Sequence, residues 1–181
     1  MASQDNDKYT VLPLKVSPNG QHLLETVCAD GAGIDVILDA GAWVTDMSNE
    51  ELASKWLTLR PDMEAVVFFA ADNDVLVLTQ AGLKMALATS PYESSLEGCL
   101  LYLDDVHTRG SDFRLSPGTR AAVTLGRRMP KDKLVQACMR MRLLGNGHTA
   151  PCLKARLGCS GSVPIQRHKR NLYIIELGSS R

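Results

Sequence analysis

Apolar positions follow a helical spacing in three segments of the chain. The second segment is the clearest, because Ser48 stands three residues before Glu51 in a capping box and the spacing continues to Pro61. The third begins at Pro130 and runs over 131–144, with Gly145 as its C-cap. The predicted apolar faces are Leu23, Leu24 and Val27 in the first helix, Leu52, Trp56 and Leu59 in the second, and Leu134, Cys138 and Met141 in the third.

Short, continuous apolar runs between these helices predict buried strands. Two β-rich runs, 64–70 and 74–79, flank Ala71-Asp72-Asn73 and predict a hairpin. Further runs of strand type cover 34–38, 99–103 and 120–125. Helices that alternate with such strands predict an α/β fold with a mostly parallel sheet and an added hairpin.

The length of 181 residues predicts one domain with a single core. Residues 1–20 end in the turn signal Ser17-Pro18-Asn19-Gly20 and show no sustained period, which predicts a loose lead-in. Residues 21–150 form the predicted α/β domain. The basic stretch 151–181 lacks a period except in the apolar run 172–177, so we expect a divergent tail, either a separate hairpin or partly disordered.

Acidic and basic residues are concentrated in different parts of the chain, although its net charge is zero. Residues 1–113 carry 6 Lys and Arg against 18 Asp and Glu, a net of −12, and residues 114–181 carry 14 against 2, a net of +12. A basic second part favours a nucleic acid, a nucleotide or an acidic surface as its partner. The alternative is that the two parts neutralise each other within one fold or against a larger assembly.

The composition is typical of a globular protein and does not favour a membrane-spanning one. Hydrophobic residues make up 45% of the chain, yet the longest apolar run, 65–71, is far shorter than the roughly 20 residues of a membrane span. The polar, acidic start has no secretory signal, which predicts a cytoplasmic or nuclear location and no membrane partner. Five cysteines without a C-x-x-C pair predict reduced thiols.

The stretch 100–112, LLYLDDVHTRGSD, carries the most informative chemistry. A strand followed by two aspartates is the arrangement that holds magnesium in nucleotide hydrolases, but the chain has no G-x-x-x-x-G-K-[ST] phosphate loop for it to serve. A strand followed by D-V-x-x-R-G-x-D resembles motif V of superfamily 2 helicases. The matching residues are Asp105, Val106, Arg109, Gly110 and Asp112.

The next predicted helix resembles motif VI of the same helicase lobe, Q-R-x-G-R-x-G-R. Gln136 and Arg140 keep its spacing, whereas Ala137 and Met139 replace its first Arg and Gly, and Arg142 stands one position before its last Arg. The resemblance implies a RecA-like lobe of the P-loop NTPase class, in which such arginines face a phosphate. The alternative is an amphipathic helix with solvated arginines.

Two longer sequence segments resemble segments of very large fungal proteins labelled ubiquitinyl hydrolase or ubiquitin thioesterase. They are LYLDDVHTRGSDFRLSPGTRAAVTLGRRMPKDKLVQACMRMRLLGNG at 101–147 and DAGAWVTDMSNEELASKWL at 39–57. The resemblance covers about residues 22–150 and implies that this chain is a fragment of a thiol-dependent deubiquitinating hydrolase. It also implies ubiquitin, or the remainder of the large parent protein, as a partner.

A ubiquitin thiol protease needs a cysteine beside a histidine that an Asp or Asn orients. The candidates are Cys99, within a phrase that faintly resembles the G-N-C-L-L loop of ovarian-tumour-type deubiquitinases, with His107 and Asp104 or Asp105. Because a five-residue strand of roughly 16 Å separates Cys99 from His107, we expect no activity from this chain alone. The alternative function is a helicase-lobe-like binding module without complete ATPase machinery.

The remaining candidate residues predict no metal and no cofactor. His148, Cys152, Cys159 and His168 combine ligands that zinc favours, but their spacing matches none of the usual short pairs. The aromatic residues are too scattered along the chain to predict a platform for stacking bases, and we expect them in the core. They include Phe68, Phe69, Tyr92, Tyr102 and Phe113.

Overall fold

A mixed, mostly parallel sheet with helices on both faces organises the protein. The computed structural model describes residues 19–29, 33–109, 112–126, 129–142, 150–155 and 172–177. The helices are α1 (Gly20–Val27), α2 (Asn49–Leu59) and α3 (Lys131–Cys138), with a short 3₁₀ helix at Leu87–Thr89. Among the residues described, none of the helices has the length and apolar character that crossing a membrane requires.

In the described part of the chain, eight strands form one sheet. They are β1 (Val36–Leu38), β2 (Ala65–Phe69), β3 (Val75–Thr79), β4 (Lys84–Ala86), β5 (Cys99–Leu103), β6 (Ala121–Leu125), β7 (Ala150–Ala155) and β8 (Leu172–Leu177). Their order is β4-β3-β2-β5-β1-β6-β7-β8, and every neighbouring pair from β2 to β8 is parallel. β3 runs antiparallel to β2 and β4, so the mostly parallel α/β sheet with an added hairpin is confirmed.

The predicted tail at 151–181 contains strands of this same sheet. β7 pairs with β6, and β8 pairs with β7 in parallel, which is not the pairing of a hairpin. Parallel neighbours need a connection that crosses over between them, and a local apolar pattern carries no information about it. Residues 1–18 of the predicted lead-in lie outside the described residues, and Gly20 begins α1.

Helix α2 begins with the predicted capping box. The Ser48 hydroxyl accepts a hydrogen bond from the backbone N–H of Glu51 (3.2 Å), and the Glu51 carboxylate accepts one from the backbone N–H of Ser48 (2.7 Å). Leu52 and Trp56 are buried as expected, whereas Leu59 at the end of the helix is half exposed and Leu57 is buried instead.

Helix α3 is shorter than the predicted span 131–144. After Cys138 the backbone N–H groups of Arg140 and Met141 bond three residues back, to Ala137 and Cys138, which tightens the last turn and ends the α-helix. Met141 is nevertheless buried, as its place on the apolar face predicts. Gly145, the predicted C-cap, lies outside the described residues.

Alternating residues of the central strands divide the core between the two faces of the sheet. Leu100 and Tyr102 of β5 pack on the face covered by α1 and α2. Leu101 and Leu103 pack on the other face, which α3 and the loops around Leu96 and Phe113 cover. Burial on both faces explains why β5 reads as a continuous apolar run.

We predict that Ser48→Ala lowers the free energy of unfolding by about 1 kcal/mol, because it leaves an N-terminal N–H of α2 without its acceptor. Ser54→Ala is the matched control, since Ser54 is an exposed residue of the same helix and alanine is the better helix former there. Chemical denaturation of both variants measures the difference. Equal stability of the two would show that the capping box contributes nothing.

Candidate functional site

Polar side chains gather where the parallel strands end, at an edge of the sheet that we call the carboxyl edge. Asp39 follows β1, Asp104 and Asp105 follow β5, and Thr124 lies near the end of β6. The chain leaves β1 towards β2 on one side and leaves β6 towards β7 on the other, so the order of strands reverses between β1 and β6. Ligands of open α/β sheets bind at such an edge, next to such a reversal.

The side chain of Asp39 connects β1 and β6, the two strands between which the order reverses. Its side chain is buried and accepts hydrogen bonds from the backbone N–H groups of Trp43 (2.9 Å) and Val44 (3.0 Å) and from the Thr124 hydroxyl (2.6 Å). The Thr124 oxygen in turn accepts the backbone N–H of Gly41 (2.8 Å). Burial raises the pKa of the Asp39 carboxyl, with a smaller contribution from the charge of Asp105 and against the three hydrogen bonds.

Gly41 brings the loop after β1 against the end of β6. A Cβ at this position would lie 2.6 Å from the backbone nitrogen of Gly126 and 2.8 Å from the carbonyl carbon of Leu125. Only glycine permits this approach of two backbones. The loop after β1 and the end of β6 are therefore in direct backbone contact.

His107 lies at the end of β5 and joins that strand to the hairpin. Its Nδ1 lies 2.6 Å from Asp104 Oδ1 and its Nε2 lies 3.0 Å from Asn73 Oδ1. The imidazole stacks on Phe69, with ring centroids 3.8 Å apart. Asn49 completes the cluster by donating to Asp104 Oδ2 (2.8 Å) and to the carbonyl of Phe69 (2.9 Å).

Asp105 forms an ion pair with Lys133 of α3, whose Nζ lies 2.5 Å from Asp105 Oδ1. The pair joins the loop after β5 to the first turn of α3. Both side chains are partly buried, at 33% and 24% exposure, so the aspartate is neutralised within the fold.

The predicted catalytic group Cys99, His107 and Asp105 is not brought together. Cys99 begins β5, and His107 and Asp105 lie beyond the other end of the same strand, at opposite edges of the sheet. Burial, together with the charge of Glu64, raises the pKa of the Cys99 thiol to about 12, so the nucleophilic thiolate is disfavoured there. The aspartate that orients His107 is Asp104 and not Asp105.

Of the residues that resemble helicase motifs V and VI, the structure brings Asp112 and Arg142 into contact. Arg109 and Asp112 are exposed in the loop after β5, and Gln136 is exposed on α3. Arg142, just beyond α3, forms an ion pair with Asp112, both side chains being exposed. Arg140 is half buried, and Gly110 lies outside the described residues.

The zinc candidates are not tested by the structure. His148, Cys159 and His168 lie outside the described residues, and Cys152 belongs to β7.

Four polar residues of this edge were missed in the sequence, namely Asp39, Asn49, Asn73 and Lys133. Asp39 had a usable signal, because it follows an apolar strand as Asp104 does. The other three are brought to the edge by α2, the hairpin turn and α3, and nothing in their local sequence indicates it.

Comparisons with known proteins give no relative: neither a protein family, nor a curated protein, nor a solved structure matches this chain. The function must therefore be argued from its own residues.

The raised pKa of Asp39 predicts a pH dependence of stability. In the folded protein this carboxyl holds its proton to a higher pH than in the unfolded chain, so its ionisation costs stability as the pH rises from the ordinary value of 3.8 through the raised folded value. Across that interval the wild type should lose free energy of unfolding relative to Asp39→Asn, as urea denaturation at a series of pH values would measure.

Asp39→Asn should be less stable overall, because its amide cannot accept from both backbone N–H groups. The difference in pH slope is therefore the readout. Asp72→Asn, at an exposed position in the hairpin turn, is the control and should keep the wild-type profile. Parallel profiles for the wild type and Asp39→Asn would contradict the interpretation.

Proposed function

We propose that this chain is a binding module built like the second RecA-like lobe of a superfamily 2 helicase. Its ligand carries phosphate, as a nucleotide or a single-stranded nucleic acid, and binds at the carboxyl edge through Arg109 and Arg142. The observation that carries this proposal is the ion pair between Asp112 and Arg142. It joins the loop that resembles motif V to the segment that resembles motif VI.

The exposure of this ion pair favours a role in binding. Its side chains are 59% and 68% exposed, and ion pairs so exposed contribute little to stability. A guanidinium in this position can exchange the carboxylate of Asp112 for a phosphate, whose oxygens its planar fork also fits.

The other aspartates of the carboxyl edge are already held within the protein. Asp39 is buried in its network, Asp104 is bonded to His107 and Asn49, and Asp105 is paired with Lys133. These paired aspartates therefore repel a phosphate at the exposed Arg109 less strongly than the number of acidic residues indicates. The net charge of +12 in residues 114–181 favours the same ligand.

Binding without hydrolysis is the activity proposed for this chain. Its 181 residues contain no phosphate loop, and phosphoryl transfer in this class of proteins depends on that loop and its lysine. The resemblance to ubiquitin thioesterases then concerns a parent protein, with any thiol chemistry outside the described residues.

We predict that the purified chain does not cleave di-ubiquitin under reducing conditions and forms no adduct at Cys99 with a ubiquitin probe that reacts with thiols. The physical reason is the buried, protonated thiol at the edge opposite His107. An active deubiquitinase in the same assay controls the reagents. Cleavage by the wild type that disappears in Cys99→Ala would overturn this assignment.

We predict that the chain binds a fluorescent single-stranded oligonucleotide and that Arg142→Gln and Arg109→Gln weaken binding. Each should lower the slope of log affinity against log salt by roughly 0.7, the value for one lost phosphate contact on a single strand. Fluorescence anisotropy at several salt concentrations measures both quantities. Asp112→Asn should strengthen binding, because it removes the carboxylate that competes for Arg142.

Arg120→Gln is the matched control for these arginine variants. Arg120 is exposed just before β6, at the opposite edge of the sheet, so the same loss of charge there should change binding far less. An equal effect of all three substitutions would indicate non-specific attraction to net charge and would contradict a site at the carboxyl edge.

A further inference from the structure

A cavity of about 590 Å³ opens beside the carboxyl edge, on the face of the sheet that α3 covers. The ends of β2 and β3 form one wall, and the loops 93–96 and 112–114 form the others. The backbone N–H of Leu96 donates to the carbonyl of Arg114 (3.3 Å), which joins the two loops. The cavity is widely open to solvent, and its volume is comparable with the roughly 300–1,000 Å³ of small-molecule sites.

Apolar side chains line the interior of the cavity, and two of them are aromatic. The rings of Phe69 and Phe113 meet edge to face, with centroids 6.3 Å apart and planes at 82°. Phe69 is itself held by the stacked ring of His107. The remaining apolar lining consists of Val75, Leu87 and Leu96.

The mouth of the cavity carries groups of both charges. Glu93 and Ser94 lie on one loop, and Asp112 and Arg114 lie on the other. Asp112 is also the partner of Arg142, so the mouth is continuous with the phosphate surface proposed above. A ligand that fits this mouth has a planar apolar part, a hydrogen-bond donor for Glu93 and an anion for Arg114.

We propose that the cavity receives one base of a nucleotide unit, with the Phe113 ring against the base, Glu93 accepting from an exocyclic amino group, and Arg114 on the adjoining phosphate. The proposal rests on the proposed function and extends it from phosphate recognition to base recognition. An aliphatic chain would match the apolar lining but would leave both Glu93 and Arg114 unused. A nucleotide supplies a partner for each.

The sequence predicts no stacking platform because its aromatic residues are scattered along the chain. Phe69 and Phe113 are 44 positions apart, and the loop after β5 brings their rings into contact. The sequence does not indicate this contact, because the two rings are distant along the chain and meet only in the folded protein.

The test compares single-stranded DNA of one length in four forms, all dA, all dC, all dT and fully abasic. The base-containing strands should bind roughly tenfold or more tightly than the abasic strand, as base stacking on an aromatic ring provides. Phe113→Leu should abolish this difference while Phe113→Tyr keeps it. Thermal unfolding of both variants checks that the fold is intact.

Glu93→Ala, which removes the acceptor, gives a second, independent readout at an exposed position. It should weaken dA and dC strands, whose bases carry exocyclic amino groups, more than the dT strand, whose base has none. Competition by adenosine monophosphate distinguishes the two sources of the base, since displacement indicates a free nucleotide site and its absence indicates a site for strands.

The two proposals fail in different ways. Equal binding of abasic and base-containing strands, unchanged in Phe113→Leu but weakened in Arg142→Gln, would overturn the base site and leave the phosphate surface standing. No binding of any strand would overturn both.

Discussion

The buried carboxylate of Asp39 is the constraint on which the carboxyl edge depends. A carboxylate removed from water is costly unless hydrogen bonds satisfy it, and this one is satisfied by Trp43, Val44 and Thr124. Those three donors come from the loop after β1 and from β6. The network therefore fixes the path of the chain from β1 to α2 and joins it to the neighbouring strand.

Among the described residues, Gly41 packs against Gly126, so the loop after β1 occupies part of the crevice between β1 and β6, where the order of strands reverses. The exposed polar groups and the cavity lie instead beyond the ends of β2 and β5, between the loop that contains Asp112 and the loop that contains Glu93.

Electrostatics at this edge is set by pairs within the protein. The ion pair of Asp105 with Lys133 and the contact of Asp104 with His107 are partly buried, whereas the pair of Asp112 with Arg142 is exposed. Partly buried pairs are screened less by salt and hold the loop after β5 in place. The exposed pair contributes little to stability and is the one that the proposed ligand would exchange.

Much of the α/β fold follows from the sequence because its signals are local. The capping box at Ser48, the apolar run 99–103 and the hairpin around Asn73 each depend on neighbours a few positions away, and all three are present in the structure. The predicted helix α3 is too long, because the apolar spacing does not indicate that the last turn tightens and ends the helix. Arg109 and Asp112 are candidates because the stretch that contains them, a strand followed by D-V-x-x-R-G-x-D, resembles motif V.

Other features depend on contacts between distant parts of the chain, and only the tertiary structure decided them. Cys99 and His107 are eight positions apart but lie at opposite ends of one strand, because an extended chain separates its ends. Arg142 meets Asp112 across 30 positions. Sequence by itself determined most of the segments that become strands and helices, since these depend on local periodicity, but not β4 and β7, which carry no such pattern. Which side chains meet was decided by strand order and crossover connections, which local periodicity does not encode.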